Sequence, residues 1–157
     1  METRLSPAPE KLKFLDESGA NPGLTRLYGR AAPGERVVEG TPGHSGLHNT
    51  IVAALSLAGI SAPWIFEGAM TAERFRAYVE QALGPSLEPG DIVILDNLAT
   101  HKDTDARAWI EARGAHLIHL PPYSPDLNPI ELCWATIKKA LRAAKARSFD
   151  ALVKALR

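Results

Sequence analysis

A single cysteine, Cys133, is the only thiol in these 157 residues. Neither an intramolecular disulfide framework nor a cysteine-rich zinc site can be built from it, and a reducing compartment such as the cytoplasm is the simplest setting. Long apolar runs are missing as well. Nothing approaches the ~20 residues of a membrane span, and the opening METRLSPAPE lacks the apolar stretch of a signal peptide, so a soluble chain with no membrane partner is expected. Net charge is absent, with eighteen basic against eighteen acidic residues, but the balance is uneven. From residue 132 to residue 157, seven basic residues face one acid, Asp150, whereas the rest of the chain holds eleven basic and seventeen acidic residues. Such an imbalance suits a tail that meets a polyanion, and equally a solvated helix face. Hydrophobic residues make up 45% of the chain, enough for one core, and no internal repeat or second domain is visible.

The apolar pattern predicts a mixed α/β order, β-β-β-α-β-α-β-α. Residues 11–16 read as a strand, and residues 25–30 and 35–39, divided by the Pro33-Gly34 turn signal, as a hairpin beside it. Residues 51–58 are apolar on both faces and bounded by Gly59, which favours a buried strand, and an extended piece follows at 63–66. Thr71 is a candidate cap for a helix with Phe75, Tyr78, Val79, Ala82 and Leu83 inward, stopped by Gly84-Pro85. A strand at 91–96 leads to a helix from about Asp103, with Ala106, Trp109 and Ile110 inward and Gly114 past its end. Residues 116–120 read as a strand. The prolines of 121–129 require a stiff irregular loop. Beyond it, Ile130, Trp134, Ile137 and Leu141 form one helical stripe, and a short helix over 149–156 with Ser148 as its cap ends the chain.

Three acids stand out against this frame. Asp16 follows Phe14-Leu15 and Asp96 follows Ile94-Leu95, two apolar runs that want to be buried strands, each with an acid where the strand should emerge. In open α/β sheets ligands bind at such carboxyl ends. Thirty-four residues separate Asp96 from Glu131, which opens the stripe-bearing helix. If the two strands were adjacent and parallel, all three carboxylates would share one volume, where mutual repulsion would raise a pKa unless a cation intervened. Two Mg²⁺ ions, with Mn²⁺ as a substitute, would hold them ionised and straddle a phosphate for in-line displacement. Taken singly, each acid would serve equally well as a turn or helix-terminal residue.

The segment PPYSPDLNPIE, residues 121–131, following LDN at 95–97 with His101 close behind, resembles the DDE transposases of the mariner-like superfamily, in particular their bacterial insertion-sequence branch. FLDESG and TRLYGRAAPGERV, residues 14–19 and 25–37, resemble the opening of the same catalytic domain. The resemblance implies a ribonuclease-H-like mixed five-stranded sheet with helices on both faces, spanning residues 1–157 as a single domain. It implies Asp16, Asp96 and Glu131 as the metal ligands and catalytic acids, and DNA cleavage and strand transfer at insertion-sequence ends as the activity. Its partners would be transposon-end and target DNA and a second copy of the chain in a synaptic complex. One departure is large: only fifteen residues precede Asp16, so the family's N-terminal helix-turn-helix DNA-binding region is expected to be absent. That leaves a split-frame product working with a separate helix-turn-helix subunit, or a catalytically inactive truncated remnant that binds DNA or a full-length transposase. A ribonuclease-H-like nuclease would use the same acids, and the proline-rich motif favours the transposase.

At 100° per residue, Lys138, Arg142 and Lys145 fall within about 40° of Glu131, a basic ridge suited to a DNA backbone or simply to solvent. Asn97 and His101 are secondary candidates, either orienting a phosphate or water or bonding locally. His116 and His119 are three apart on a strand and point to opposite faces, a poor metal pair. His44 and His48 lack further ligands to complete a zinc site. Tyr123 and Trp134 read as core anchors.

Overall fold

The computed structural model describes residues 8–21, 25, 28–40, 48–122, 124–145, 150, 151 and 154. Five strands, β1 (Leu12–Gly19), β2 (Asn49–Ser56), β3 (Gly59–Glu67), β4 (Ile92–Leu95) and β5 (His116–His119), form one sheet in the order β3-β2-β1-β4-β5. The β1–β2 and β2–β3 pairs are antiparallel, and the β1–β4 and β4–β5 pairs are parallel. Against the sheet lie the helices α1 (Ala72–Tyr78), α2 (Thr104–Ala112) and α3 (Ile130–Ala144). This is the expected mixed five-stranded sheet, with β1 at its centre.

β2 explains its own apolar sequence. Successive side chains of a strand point to opposite faces. Val52 and Ala54 accordingly join a core with Leu15, Val93, Leu95, Phe75, Tyr78 and Ile110 under α1 and α2, while Ile51 and Ala53 join a second core with Ile130, Trp134 and Leu141 under α3. Helices thus cover both faces, and a strand buried on both sides has to be apolar throughout. The β2–β3 turn is left-handed at Gly59, φ +109, where a side chain would be strained.

Helix starts follow the expected chemistry. The Thr71 hydroxyl accepts from the Arg74 N–H at 3.2 Å, and the Asp103 carboxylate accepts from the Ala106 N–H at 2.9 Å. The Arg76 guanidinium also clasps Asp103 at 2.7 and 3.2 Å, and mainly this bond holds the Asp103 carboxyl below the usual range. Gly84-Pro85 does not end the first helix abruptly. A π turn at Val79–Leu83 and a 3-10 turn at Gly84–Ser86 carry it on, with Val79 and Leu83 buried. Gly114, φ +72, closes α2 as expected.

Several expectations need correction. Thr25 and residues 28–40 contain no strand. Pro33-Gly34 does form a turn, with the Glu35 N–H bonded to Ala32 O at 2.9 Å, but Tyr28 and Val38 are 90% and 86% exposed, so no buried face holds a ladder there. The hairpin beside β1 is β2–β3 instead. Trp109 does not face inward; it is 39% exposed on α2, while Ala106 and Ile110 supply the buried stripe. The proline loop contains one short regular piece, a 3-10 turn at Pro125–Leu127. Asp150, Ala151 and Lys154 are helical, and the rest of the expected final helix lies outside the described residues, as do Ser148, His44 and Tyr123.

Candidate active site

Strand pairing brings the two aspartates together. β1 and β4 pair in parallel with Leu12 opposite Ile92, Lys13 opposite Val93 and Phe14 opposite Ile94. Continuing that register places Asp16 level with Asp96. β1 does not end at Asp16, as its sequence suggests, but runs to Gly19 because antiparallel β2 continues beside it. Asp16 instead marks where its parallel neighbour stops, and Asp96 is the first residue beyond β4. At this fork a cavity of about 370 Å³ opens, lined by Asp16, Asp96 and Glu131 together with Asn97, Asn128 and three of the loop's prolines, Pro121, Pro122 and Pro125. Glu131 enters from the first turn of α3. The three acids therefore surround one space, although among the described residues no three acid, histidine or cysteine side chains are gathered tightly enough to hold a single ion.

The electrostatics differ from one acid to the next. Burial, chiefly, pushes the Asp16 carboxyl up to about 6, and the charges of Glu131 and Glu17 add to the rise. Hydrogen bonds donated by the Glu17 backbone N–H and by Trp134 oppose it. The Trp134 indole N–H donates to Asp16 Oδ2 at 2.9 Å, so this residue is more than the core anchor its spacing suggests. Asp96 Oδ1 takes two bonds, from the Leu98 N–H at 3.2 Å and from His101 Nδ1 at 2.6 Å. His101 Nε2 in turn lies 2.9 Å from Glu17 Oε2. Burial disfavours its charged form, but the bonds and charges of Glu17 and Asp96 outweigh that and raise its pKa above the ordinary histidine value. As a donor set, three carboxylates with two asparagine side chains in the same wall suit a hard divalent cation.

The secondary candidates divide. Asn97 lines the cavity. His101 is buried and turned to carboxylates, with no ring nitrogen left to meet a phosphate. Lys138 and Arg142 are half-buried on α3 and form no ion pair among the described residues. Lys145 departs from the ridge. It caps α3 in the left-handed conformation, φ 52, where the helical wheel no longer applies, and its ammonium pairs with Glu39 at 2.9 Å. His116 is exposed and His48 is exposed, whereas His119 Nδ1 reaches the Asp96 carbonyl at 3.0 Å.

Glu17 and Asn128 escaped the sequence reading. Asn128 is buried, and its Nδ2 donates to Leu15 O at 3.4 Å, tying the proline loop to the strand residue before Asp16. Only Glu17 carried a usable signal: as the neighbour of Asp16 on a strand it had to emerge on the opposite face.

Comparison with known proteins finds relatives in sequence and neighbours in fold. The chain is 39% identical to the Tc1 transposase of Caenorhabditis elegans over 56 residues, which is 36% of this chain and 20% of that protein. It is 34% identical to the Tcb2 transposase of Caenorhabditis briggsae over 61 residues, 36% of this chain and 22% of that protein. These matches span about a fifth of the relatives' length. The structure superposes on Mos1 transposase in a paired-end complex with the left transposon end, with a TM-score of 0.73 at 19% identity over 94% of this chain and 47% of that one. A Mos1 paired-end complex with Mn gives a TM-score of 0.69 at 20% identity over 95% of this chain and 47% of that one. The isolated Mos1 catalytic domain gives 0.60 at 16% identity over 94% and 68%. At such identities the likeness speaks for the fold, which is ribonuclease-H-like. Residues 11–153 match the family model of the DDE superfamily endonucleases, and the chain belongs to that family.

Proposed function

We propose that this chain is the catalytic domain of a transposase that cuts DNA at the ends of an insertion-sequence element and joins them to target DNA. One observation carries the reading: Asp16 from the central strand, Asp96 from the end of its parallel neighbour and Glu131 from the first turn of α3 line the same cavity. In this reading they hold two Mg²⁺ ions, or Mn²⁺ in their place, and the bound ions would activate an attacking water or 3′-hydroxyl and stabilise the leaving oxygen of a phosphodiester. The chain's own residues fix the acids. Trp134 steadies Asp16, His101 and Leu98 steady Asp96, and Asn128 ties the proline loop to β1 so that Glu131 keeps its place. DNA is the substrate, and two copies would pair two ends, a reading supported by the likeness to Mos1 paired-end complexes. Among the described residues no helix is long and apolar enough to cross a membrane.

The test is nicking of a duplex carrying the element's end, with Mg²⁺ or Mn²⁺ and with chelator. Metal-dependent nicking that falls by about 10²–10³-fold in Asp96→Ala is expected; nicking that survives in this variant removes Asp96 from the mechanism.

Lys138 and Arg142, without an ion pair among the described residues and on the same helix as Glu131, would follow the DNA backbone away from the cut. Reversing both charges should weaken duplex binding at low salt for every sequence alike, and lower the salt-dependence slope by about one per lost phosphate contact. Lys145, spent on Glu39, should matter less. Unchanged affinity of the double reversal at low salt would remove the ridge from the interface.

A further inference from the structure

Glu17 is the acid beside the cavity for which the proposed reaction has no use. It follows Asp16 on β1, and strand alternation sends the two carboxylates to opposite faces, Asp16 to Trp134 of α3 and Glu17 to His101 in the layer of α1. The His101 side chain is 2% exposed, with the Phe75 ring 4.8 Å away, centroid to centroid. It spans a gap that the sheet leaves open. The β1–β4 ladder ends at Phe14 and Ile94, and Glu17 and Asp96 both lie beyond it. Burying an imidazole between two carboxylates is a poor way to gain stability, since desolvation consumes much of the attraction. It is an effective way to fix one oxygen. Both hydrogen bonds on the Asp96 side chain end on Oδ1, while the residue still borders the cavity and its side chain remains 40% exposed.

We propose that Glu17 is a positioning residue for Asp96: acting through His101, it pins Oδ1 and so leaves Oδ2 as the oxygen presented to a divalent ion. This rests on the reading of Asp96 as a metal ligand. Metal-bound groups elsewhere depend in the same way on the partners behind them, whose loss typically costs 10–100-fold in affinity.

The experiment is titration of the whole chain with Mn²⁺ alone, followed calorimetrically well below the unfolding temperature of each variant. Glu17→Ala is expected to weaken binding about 10–100-fold and Glu17→Gln, which keeps an acceptor for the ring, by less. His101→Gln separates positioning from charge. Loss of an ionisable ring, whose charged form repels a metal ion, would tighten Mn²⁺ binding if charge alone mattered, whereas loss of the strut weakens it. In the metal-free chain, the His101 ring-nitrogen NMR signals should shift in Glu17→Gln. Tighter or unchanged binding by His101→Gln, or wild-type affinity in both Glu17 variants, overturns the strut while leaving the metal site standing. A wild-type chain that binds no Mn²⁺, or an Asp96→Asn variant that binds it as well as the wild type, overturns both.

Discussion

Asp16→Asn is expected to lower metal-dependent nicking by about 10²–10³-fold and, in chelator at pH 7.5, to make the chain more stable than the wild type by about 1–2 kcal/mol. The two effects share one cause. Burial and the neighbouring charges of Glu131 and Glu17 raise the Asp16 carboxyl from 3.8 to about 6. A carboxyl with a raised folded-state pKa favours folding in its neutral form. Its contribution is complete below pH 3.8 and is lost as the pH rises through about 6. Two pKa units would be worth about 3 kcal/mol, and solvent screening of a partly exposed group brings the figure down to the range given. Asparagine carries no charge at any pH and still offers an oxygen to the Trp134 N–H. Urea denaturation in chelator should therefore find the two chains alike at pH 4 and separated at pH 7.5. Mn²⁺ should then stabilise the wild type far more than the variant, because ligand binding to the folded state adds directly to its stability. A stability difference independent of pH, or nicking retained by Asp16→Asn, would contradict this account of the site.

Trp134→Ala should be the most destabilising single change, at about 3–5 kcal/mol, the range for truncating a large buried aromatic. Trp134 is 3% exposed, packs with Ile130, Leu141, Ile51 and Ala53, and spends its indole N–H on Asp16. Trp134→Phe separates the two roles. It keeps most of the apolar body and loses the donor, which should cost about 1.5–3 kcal/mol, the worth of a hydrogen bond to a charged partner. It should also raise the Asp16 pKa further, since that bond now works to lower it. Chemical denaturation of the two variants, with the midpoint of the Asp16 transition followed by NMR, checks both parts. A phenylalanine variant as stable as the wild type, with Asp16 titrating unchanged, would reduce Trp134 to a packing residue.

Much of this architecture is legible in the sequence because two periodicities are. The 3.6-residue stripe of Ile130, Trp134 and Leu141 is buried as its spacing requires, and Thr71 and Asp103 cap the helices they precede. The segment 28–40 misled for a physical reason. It has a turn and β-branched residues, but Tyr28 and Val38 stand exposed, and β-propensity without a face to bury does not make a strand. Trp109 misled similarly: a period allots a residue to a broad face, and the packing of neighbours decides where that face ends.

The acids were legible one at a time, Asp16 and Asp96 each closing an apolar run and Glu131 opening a striped helix. Their partners were not. Trp134 lies 118 residues from Asp16 in sequence and His101 lies 84 from Glu17, and no local pattern links positions so far apart. Lys145 shows the converse, since its place on the ridge follows from extrapolating a helix that has already ended.

By itself, the sequence determined which segments must be buried, where the chain must turn, which two carboxylates close apolar runs and which one opens a striped helix, because these follow from the hydrophobic period and from the backbone chemistry of proline and glycine. Only the tertiary structure decided that β1 and β4 lie side by side in parallel, that Glu131 comes down on the fork between them, and that His101 bridges Glu17 to Asp96. Those facts depend on strand pairing and on packing between distant residues, and short-range sequence pattern carries no record of either.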